Sequence, residues 1–215
     1  MFIGLSGGAG MLKLYGLQAS NYYKMVKLAL LEKGFEFDDV QTSPNQEQSF
    51  LSMSPMGKVP CLEAREGFLS ETMAIMEFLE DINPEIPLFP QDSFERAKIR
   101  ELMRVCELYI ELPVSRLNTM ANSPDANKEQ VINDIKPEIT KGLAALARLA
   151  RFEPYLAGHL FTYADIVAYH TFSFAEKVMK DVCGWNVMSE IEGLAEWQKT
   201  VASRPIVHNM DTSNT

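Results

Sequence analysis

The stretch Ser54–Leu79, SPMGKVPCLEAREGFLSETMAIMEFL, reads as a short strand pair running into a helix, with a Val-Pro step at its entrance and an acidic-hydroxyl pair at the helix start. Pro60 follows Val59 where the apolar run Val59, Cys61, Leu62 begins. A proline there removes a main-chain donor and adopts a cis bond at modest cost. A cis bond would turn the Val59 main chain outward, so that its N–H and C=O could pair with an extended ligand as an added strand would. Glu66-Gly67 marks a turn between two strands. Beyond Ser70-Glu71-Thr72, the residues Ile75, Phe78 and Leu79 recur on one face at helical spacing. The first turn of that helix offers unpaired N–H groups and the positive end of the macrodipole, which suits a carboxylate, with the Thr72 hydroxyl as a further donor. Glu71 would hold an ammonium group. The pattern fits a ligand with an α-carboxylate and an α-ammonium at one end and a peptide amide further along.

Outward from this stretch, Leu12, Leu14 and Tyr15 form a strand ending at Gly16, and a helix from Ser20 to Lys33 presents Tyr22, Val26, Ala29 and Leu30 on one side, with Gly34 closing it. The segment 35–40, FEFDDV, is the second strand, reached by a right-handed crossover. A short helix around 47–51 then leads into Pro55-Met56-Gly57. The resulting order is βαβ-α-ββα. Residues 83–92, NPEIPLFPQD, contain three prolines and cannot continue a helix, so they form a linker. After it the periodicity is helical. Phe94, Ile99, Leu102, Met103, Cys106, Tyr109 and Ile110 make a stripe that runs to Pro113, and residues 131–150 give another. The division predicted is an N-terminal extension over 1–10, an α/β domain over 11–82, the linker, and an all-α domain over 93–215. Within the last, Thr162 as N-cap and Asp165 three residues on form an Asp version of the capping box, with Phe161 and Ile166 as its apolar staple. That role accounts for Asp165 without chemistry.

These pieces resemble the cytosolic glutathione S-transferases. LKLYGLQASNYYKMVKLALLEKG is similar to the family's first strand, catalytic loop and first helix, and the Val59-Pro60 and Glu71-Thr72 pairs to its glutathione-binding region. YLAGHLFTYADIVAYHTFSF resembles the entry to its core helix, and SRPIVHNM its closing segment. The resemblance implies a thioredoxin-like N-terminal domain followed by a helical bundle, glutathione as co-substrate, a small apolar electrophile as second substrate, and a homodimer. It places the sulfur at Ser20, as in Ser-type members that donate a hydroxyl hydrogen bond to it, with Asn21 as a second donor. Lys58, Val59, Glu71 and Thr72 lie along the tripeptide. Two readings stay open at the sulfur, because other branches use a tyrosine near the end of the first strand, where Tyr15 stands. Ser20 also reads simply as a helix cap, and Lys58 as a solvated loop lysine.

The chemistry asked of the site is modest. Lowering a thiol pKa from about 8.5 to roughly 6.5 takes about 2.7 kcal/mol of preference for the thiolate. A hydrogen bond to a charged group supplies about 1.5–3 kcal/mol and a helix N-terminus about 0.3–1 or more. No protein base is needed, since solvent takes the proton. A serine in place of cysteine cannot form a mixed disulfide, which points to conjugation or peroxide reduction. The loop lacks the SSxS pattern of the isomerase branch. The electrophile pocket is expected between the domains, near helical residues such as Met103, Cys106 and Tyr109.

Composition excludes other classes. The net charge is −9, with 20 basic against 29 acidic residues and no basic run, which argues against nucleic acid and anionic membranes. Cys61, Cys106 and Cys183 are an odd number without metal spacing, suited to a reducing cytoplasm as buried thiols. His159, His170 and His208 have no partners at metal spacing. A non-catalytic member of the same fold, acting as a partner-binding or regulatory module, is the alternative. The presence of both clamp pairs speaks against it.

Overall fold

The computed structural model describes residues 12–125 and 127–212, and the expected extension over 1–10 lies outside them. The chain divides into two compact units, one ending at Ile86 and the other beginning at Pro87.

The first unit is a four-stranded sheet in the order β2-β1-β3-β4 with helices around it. Strand β1 (Leu12–Gly16) pairs in parallel with β2 (Phe37–Gln41) and antiparallel with β3 (Cys61–Ala64), and β4 (Gly67–Ser70) pairs antiparallel with β3. The β1–β2 crossover is helix α1 (Asn21–Glu32), followed by the short α2 (Gln48–Leu51) and, after β4, by α3 (Thr72–Ile82). This is the expected thioredoxin-like order. Strand β2 starts two residues later than predicted, because Gly34 at φ +69 ends α1 and Phe35 is still bonded back to Leu30. Alternation along β1 buries Leu12 and Leu14 and leaves Lys13 and Tyr15 on the opposite face, partly exposed. In α1 the buried residues are Tyr23, Met25, Val26, Leu28, Ala29 and Leu30. Tyr22, expected on that side, is only half-buried, and Tyr23 takes the interior place. Helices α1 and α3 pack together. Their far ends are joined by a fully buried Lys33, whose Nζ donates to Glu80 Oε2 at 2.7 Å and to the Ile86 carbonyl at 2.6 Å. Both partners are needed, because an ammonium out of water requires charge and hydrogen bonds in compensation.

The second unit is helical. Asp92 caps α4 (Ser93–Cys106) by accepting from the N–H groups of Phe94 and Glu95 at 2.9 Å. The stripe predicted from Phe94 to Ile110 is only partly interior. Ile99, Leu102, Met103, Cys106 and Ile110 are buried, whereas Phe94 is 70% and Tyr109 54% exposed. Nor does the helix stop at Pro113. A π-helical turn, Glu107–Glu111, passes directly into α5 (Leu112–Ala121), with Pro113 in its first turn. A proline needs no intrahelical acceptor there, so the chain stays helical where the sequence suggested an end. Helices α6 (Lys128–Leu149) and α7 (Tyr163–Cys183) follow, then α8 (Leu194–Ala202) and α9 (Pro205–Thr212). Helix α7 is buried on most sides over its first half, as its apolar run predicts. Its capping box forms as expected. Asp165 also receives the Leu156 N–H at 2.7 Å and the Trp197 indole N–H at 2.9 Å. Cys61 and Cys106 are buried thiols, but Cys183 is only partly covered.

Candidate active site

Strand register brings three chain segments to one end of the sheet. Cys61 opens β3 and pairs with Tyr15 on one side and Ser70 on the other. One step outward, Val59-Pro60 therefore lies between the start of the Gly16–Ser20 loop and the Glu71-Thr72 entry to α3. The segments found separately in the sequence meet here because the pairing on both sides of β3 is antiparallel.

The Val59–Pro60 bond is cis. Val59 is 9% exposed, yet among the described residues neither its N–H nor its C=O has a protein hydrogen-bond partner. A main-chain edge left this way requires solvent or a ligand to complete it. The loop before it is braced. The hydroxyl of buried Ser54 donates to the Lys58 carbonyl at 2.7 Å, and Gln46 Nε2 donates to the Met56 carbonyl at 3.2 Å. Gly57 sits at φ +65, and a Cβ there would lie 2.2 Å from the Asn45 carbonyl oxygen, so only glycine lets the two loops touch. Ser54 and Gln46 were not singled out from sequence, since neither lies in a periodic or charged pattern. Lys58 is exposed.

Glu71 is the N-cap of α3 at φ 70, ψ 113, outside the regions a side chain-bearing residue favours. Such a conformation costs on the order of 1–3 kcal/mol and is a mark of binding and catalytic positions. Its carboxylate is exposed and makes no cap hydrogen bond, while Thr72 is 5% exposed at the first helical position. No acidic residue occupies the first turn of α1 or of α3. The start of α1 thus keeps the full field that favours an anion, whereas the start of α3 shares it with the Glu71 carboxylate at its cap.

Ser20 is the N-cap of α1, with φ −84 and ψ 122, and its Oγ accepts from the Tyr23 N–H at 3.3 Å. That bond uses a lone pair. A hydroxyl accepts and donates at once, so capping leaves the Ser20 proton for a second partner. Tyr15 is differently engaged. Its hydroxyl donates to Glu63 Oε2 at 2.6 Å, beside the Lys13 ammonium 3.1 Å from the same carboxylate. The bond to Glu63, with burial and the carboxylate's charge, pushes the phenol up to about 12. The bonds from Tyr15 and Lys13 in turn hold Glu63 below the usual carboxylate range. Both shifts report a network on the sheet face rather than a donor aimed at the clamp. Glu63's share of stability is therefore present above its unfolded value of about 4.3 and is lost as pH falls through its lower folded value. Tyr15's is present below about 10 and is lost as pH rises toward about 12. Tyr15→Phe is accordingly expected to leave the pH–rate profile for thiol activation unmoved, while a spectrophotometric titration loses the tyrosine ionising at about 12. A displaced rate profile would return Tyr15 to the reaction.

Cys61, at the head of β3, donates its thiol to the Met53 carbonyl at 3.3 Å, and burial, with the charge of Glu63, pushes it up to about 11. It is a packed thiol and not a nucleophile. In the second unit, Met103 and Cys106, two of the three residues named from sequence for the electrophile pocket, are core residues, and the third, Tyr109, lines a cleft. That cleft, of about 360 Å³, is lined by Leu108, Tyr109, Pro113, Gly142 and Ala145 with Glu138 and Lys141.

Comparison with known proteins agrees along both units. Residues 14–87 match the family model described as the glutathione S-transferase N-terminal domain, and residues 94–205 match that of the C-terminal domain. A glutathione S-transferase of Pseudomonas putida is 41% identical, over 84% of this chain and 82% of its own. A maleylacetoacetate isomerase of Pseudomonas aeruginosa is 26% identical, over 86% and 91%. Among solved structures, a glutathione S-transferase of Rhodospirillum rubrum superposes with a TM-score of 0.75 at 27% identity, covering 93% of this chain and 91% of its own. The Omega 3C glutathione transferase of Trametes versicolor gives 0.79 at 24% identity, over 94% and 89%.

Proposed function

The chain belongs to the glutathione S-transferase family and is an enzyme of it, a glutathione transferase, and on that premise we propose that Ser20 keeps the sulfur of glutathione ionised for attack on a small apolar electrophile. The observation that supports this most directly is the Ser20 hydroxyl spent on its cap only as an acceptor, at the start of a helix with no acidic first turn. The thiol proton leaves to solvent, and the Ser20 O–H and the α1 dipole hold the thiolate. With an aryl halide, the S–C bond forms, the C–halogen bond breaks and halide departs. The tripeptide lies along Val59, whose unpaired N–H and C=O complete a strand-like pairing with its main chain. Its γ-glutamyl carboxylate lies against Thr72 and the start of α3, its ammonium against Glu71, and its glycine carboxylate within reach of Lys58. Residues 11–82 make up the glutathione-binding domain, 83–92 the linker and 93–215 the helical domain.

Conjugation or peroxide reduction is favoured over thiol exchange because Ser20 replaces the cysteine such exchange needs and Cys61 is buried. Gln18-Ala19-Ser20-Asn21 lacks the serine-rich loop of the isomerase branch, so isomerisation is the less favoured outcome. The enzyme acts as a homodimer in a reducing cytoplasm. Apolar side chains such as Met56, 62% exposed, and Phe94, 70% exposed, supply surface for a second copy to cover. No described helix is long and apolar enough to cross a membrane.

Calorimetric titration with glutathione is expected to give saturable heat at millimolar ligand or below, together with turnover of an aryl halide. Absence of heat at that concentration would remove the clamp reading. Binding without any turnover would remove Ser20's role.

A further inference from the structure

The Gly16–Ser20 loop is held at both ends by one residue. The Tyr23 ring packs so closely on Gly16 that a Cβ there would lie 2.1 Å from a ring carbon, and the Tyr23 N–H is the donor to Ser20 Oγ. The loop is bonded on its other flank to the residue that follows β2, where Thr42 N–H donates to the Gly16 carbonyl at 2.8 Å. Tyr23 is itself anchored. It is fully buried as a residue, and its phenol donates to Asp39 Oδ1 in a short hydrogen bond. Asp39 also takes the Lys27 ammonium at 2.7 Å and the Gln41 amide at 2.9 Å, and the Lys27 nitrogen lies 5.7 Å from the centre of the Tyr23 ring.

We propose that Tyr23, fixed by Asp39, is a positioning residue for glutathione activation: it locks the loop and occupies the acceptor side of the Ser20 hydroxyl, so that the hydroxyl's proton is aimed at the sulfur. This rests on the reading of Ser20 given above. A serine hydroxyl rotates freely about its C–O bond, and an unanchored loop would let the proton find a carbonyl or water instead. With Tyr23 N–H held on one lone pair, the O–H direction is restricted before the thiol arrives, and preorganised donors of this kind avoid reorganisation during the reaction. The titration shifts agree with a shared proton held on the phenol. Burial and then the Asp39 bond push the Tyr23 phenol up. Burial works to raise Asp39, but the bonds from Lys27 and Tyr23 outweigh it and hold the carboxyl below its ordinary value. Among the described residues, the charged group bonded to this pair is thus Lys27 on α1, with the uncharged Gln41 beside it.

The test is a double-mutant cycle read as the pKa of bound glutathione, taken from the pH dependence of kcat/KM for aryl halide conjugation, with glutathione affinity and thermal melting measured in parallel. Tyr23→Phe keeps the ring on Gly16 and removes the anchor. It is expected to raise the thiol pKa and lower kcat/KM at neutral pH by about threefold to tenfold, the share of one charge-assisted hydrogen bond imperfectly aimed, with glutathione affinity falling only by the few-fold that the less ionised thiol entails. Asp39→Asn should move the thiol pKa in the same direction by less. In a Ser20→Ala background, Tyr23→Phe should produce no further change, since its effect passes through the hydroxyl. A lower melting temperature with an unmoved thiol pKa in Tyr23→Phe and Asp39→Asn would overturn the inference while leaving Ser20 in place. So would a Tyr23→Phe effect that persists undiminished without the hydroxyl. If Ser20→Ala itself leaves the thiol pKa where it was, both this inference and the reading beneath it fail together.

Discussion

Asp165→Ala is expected to lower unfolding free energy by about 4–5 kcal/mol, a large share of the roughly 5–15 kcal/mol that holds a domain folded. The carboxylate is buried and accepts from the Leu156 N–H at 2.7 Å, the Thr162 N–H at 2.9 Å and the Trp197 indole at 2.9 Å, with the Thr162 hydroxyl at 3.2 Å. Truncation strands three N–H donors away from water, at about 1–3 kcal/mol each. The full sum is not expected, because burial pushes the Asp165 carboxyl above its ordinary range against these same bonds, and removing it recovers that desolvation. Asp165→Asn keeps one acceptor oxygen but turns an amide toward a donor, so about half the loss should remain. The effect reaches beyond α7, since Leu156 precedes the helix and Trp197 belongs to α8. Urea midpoints at constant m-value measure it, and a loss below about 1 kcal/mol for the alanine variant would show that the three donors find other partners.

That capping box was legible in the sequence because it is local. Thr162 and Asp165 are three residues apart, and their geometry follows from the helix start alone. Val59-Pro60 and Glu71-Thr72 were legible for the same reason, since proline and helix entry act on their own neighbours. What escaped depends on contacts distant in the chain. Tyr22 and Tyr23 are adjacent tyrosines in the first turn of α1, and periodicity favoured the former. The interior place went to Tyr23 because Gly16 leaves room for its ring and Asp39, sixteen positions on in β2, accepts its phenol. Similarly, Pro113 reads as a stop in isolation and becomes tolerable only through the π-helical turn before it. Phe94 and Tyr109 fit the helical stripe by spacing, yet spacing cannot tell which edge of a stripe is covered. Tyr15 and Ser20 both stood near the sulfur by sequence position. Glu63, which the antiparallel register of β3 sets opposite Lys13 on the face Tyr15 shares, engages the Tyr15 hydroxyl.

Ser20→Ala should cut aryl halide turnover at neutral pH by about tenfold while glutathione affinity falls only about fourfold, the linked cost of a less ionised bound thiol. A hydrogen bond to a charged sulfur is worth about 1.5–3 kcal/mol, which corresponds to roughly one to two units of thiol pKa. Moving that value from about 6.5 to about 8 leaves near a tenth of the bound thiol ionised at pH 7. Affinity for the protonated tripeptide is spared because the main-chain pairing at Val59 and the α3 entry do not involve the hydroxyl. Alanine also deletes the cap accepted from Tyr23, at about 0.5–2 kcal/mol, so a lost cap and a lost donor must be told apart. Ser20→Asp does this. Aspartate caps as well as serine and should restore melting, but it presents a carboxylate and no proton to the sulfur. Like charges disfavour ionisation, so its thiol pKa should rise at least as far as in the alanine variant. If the aspartate variant instead turns over at the parent rate, the serine is a cap alone and the thiolate is held by the helix start.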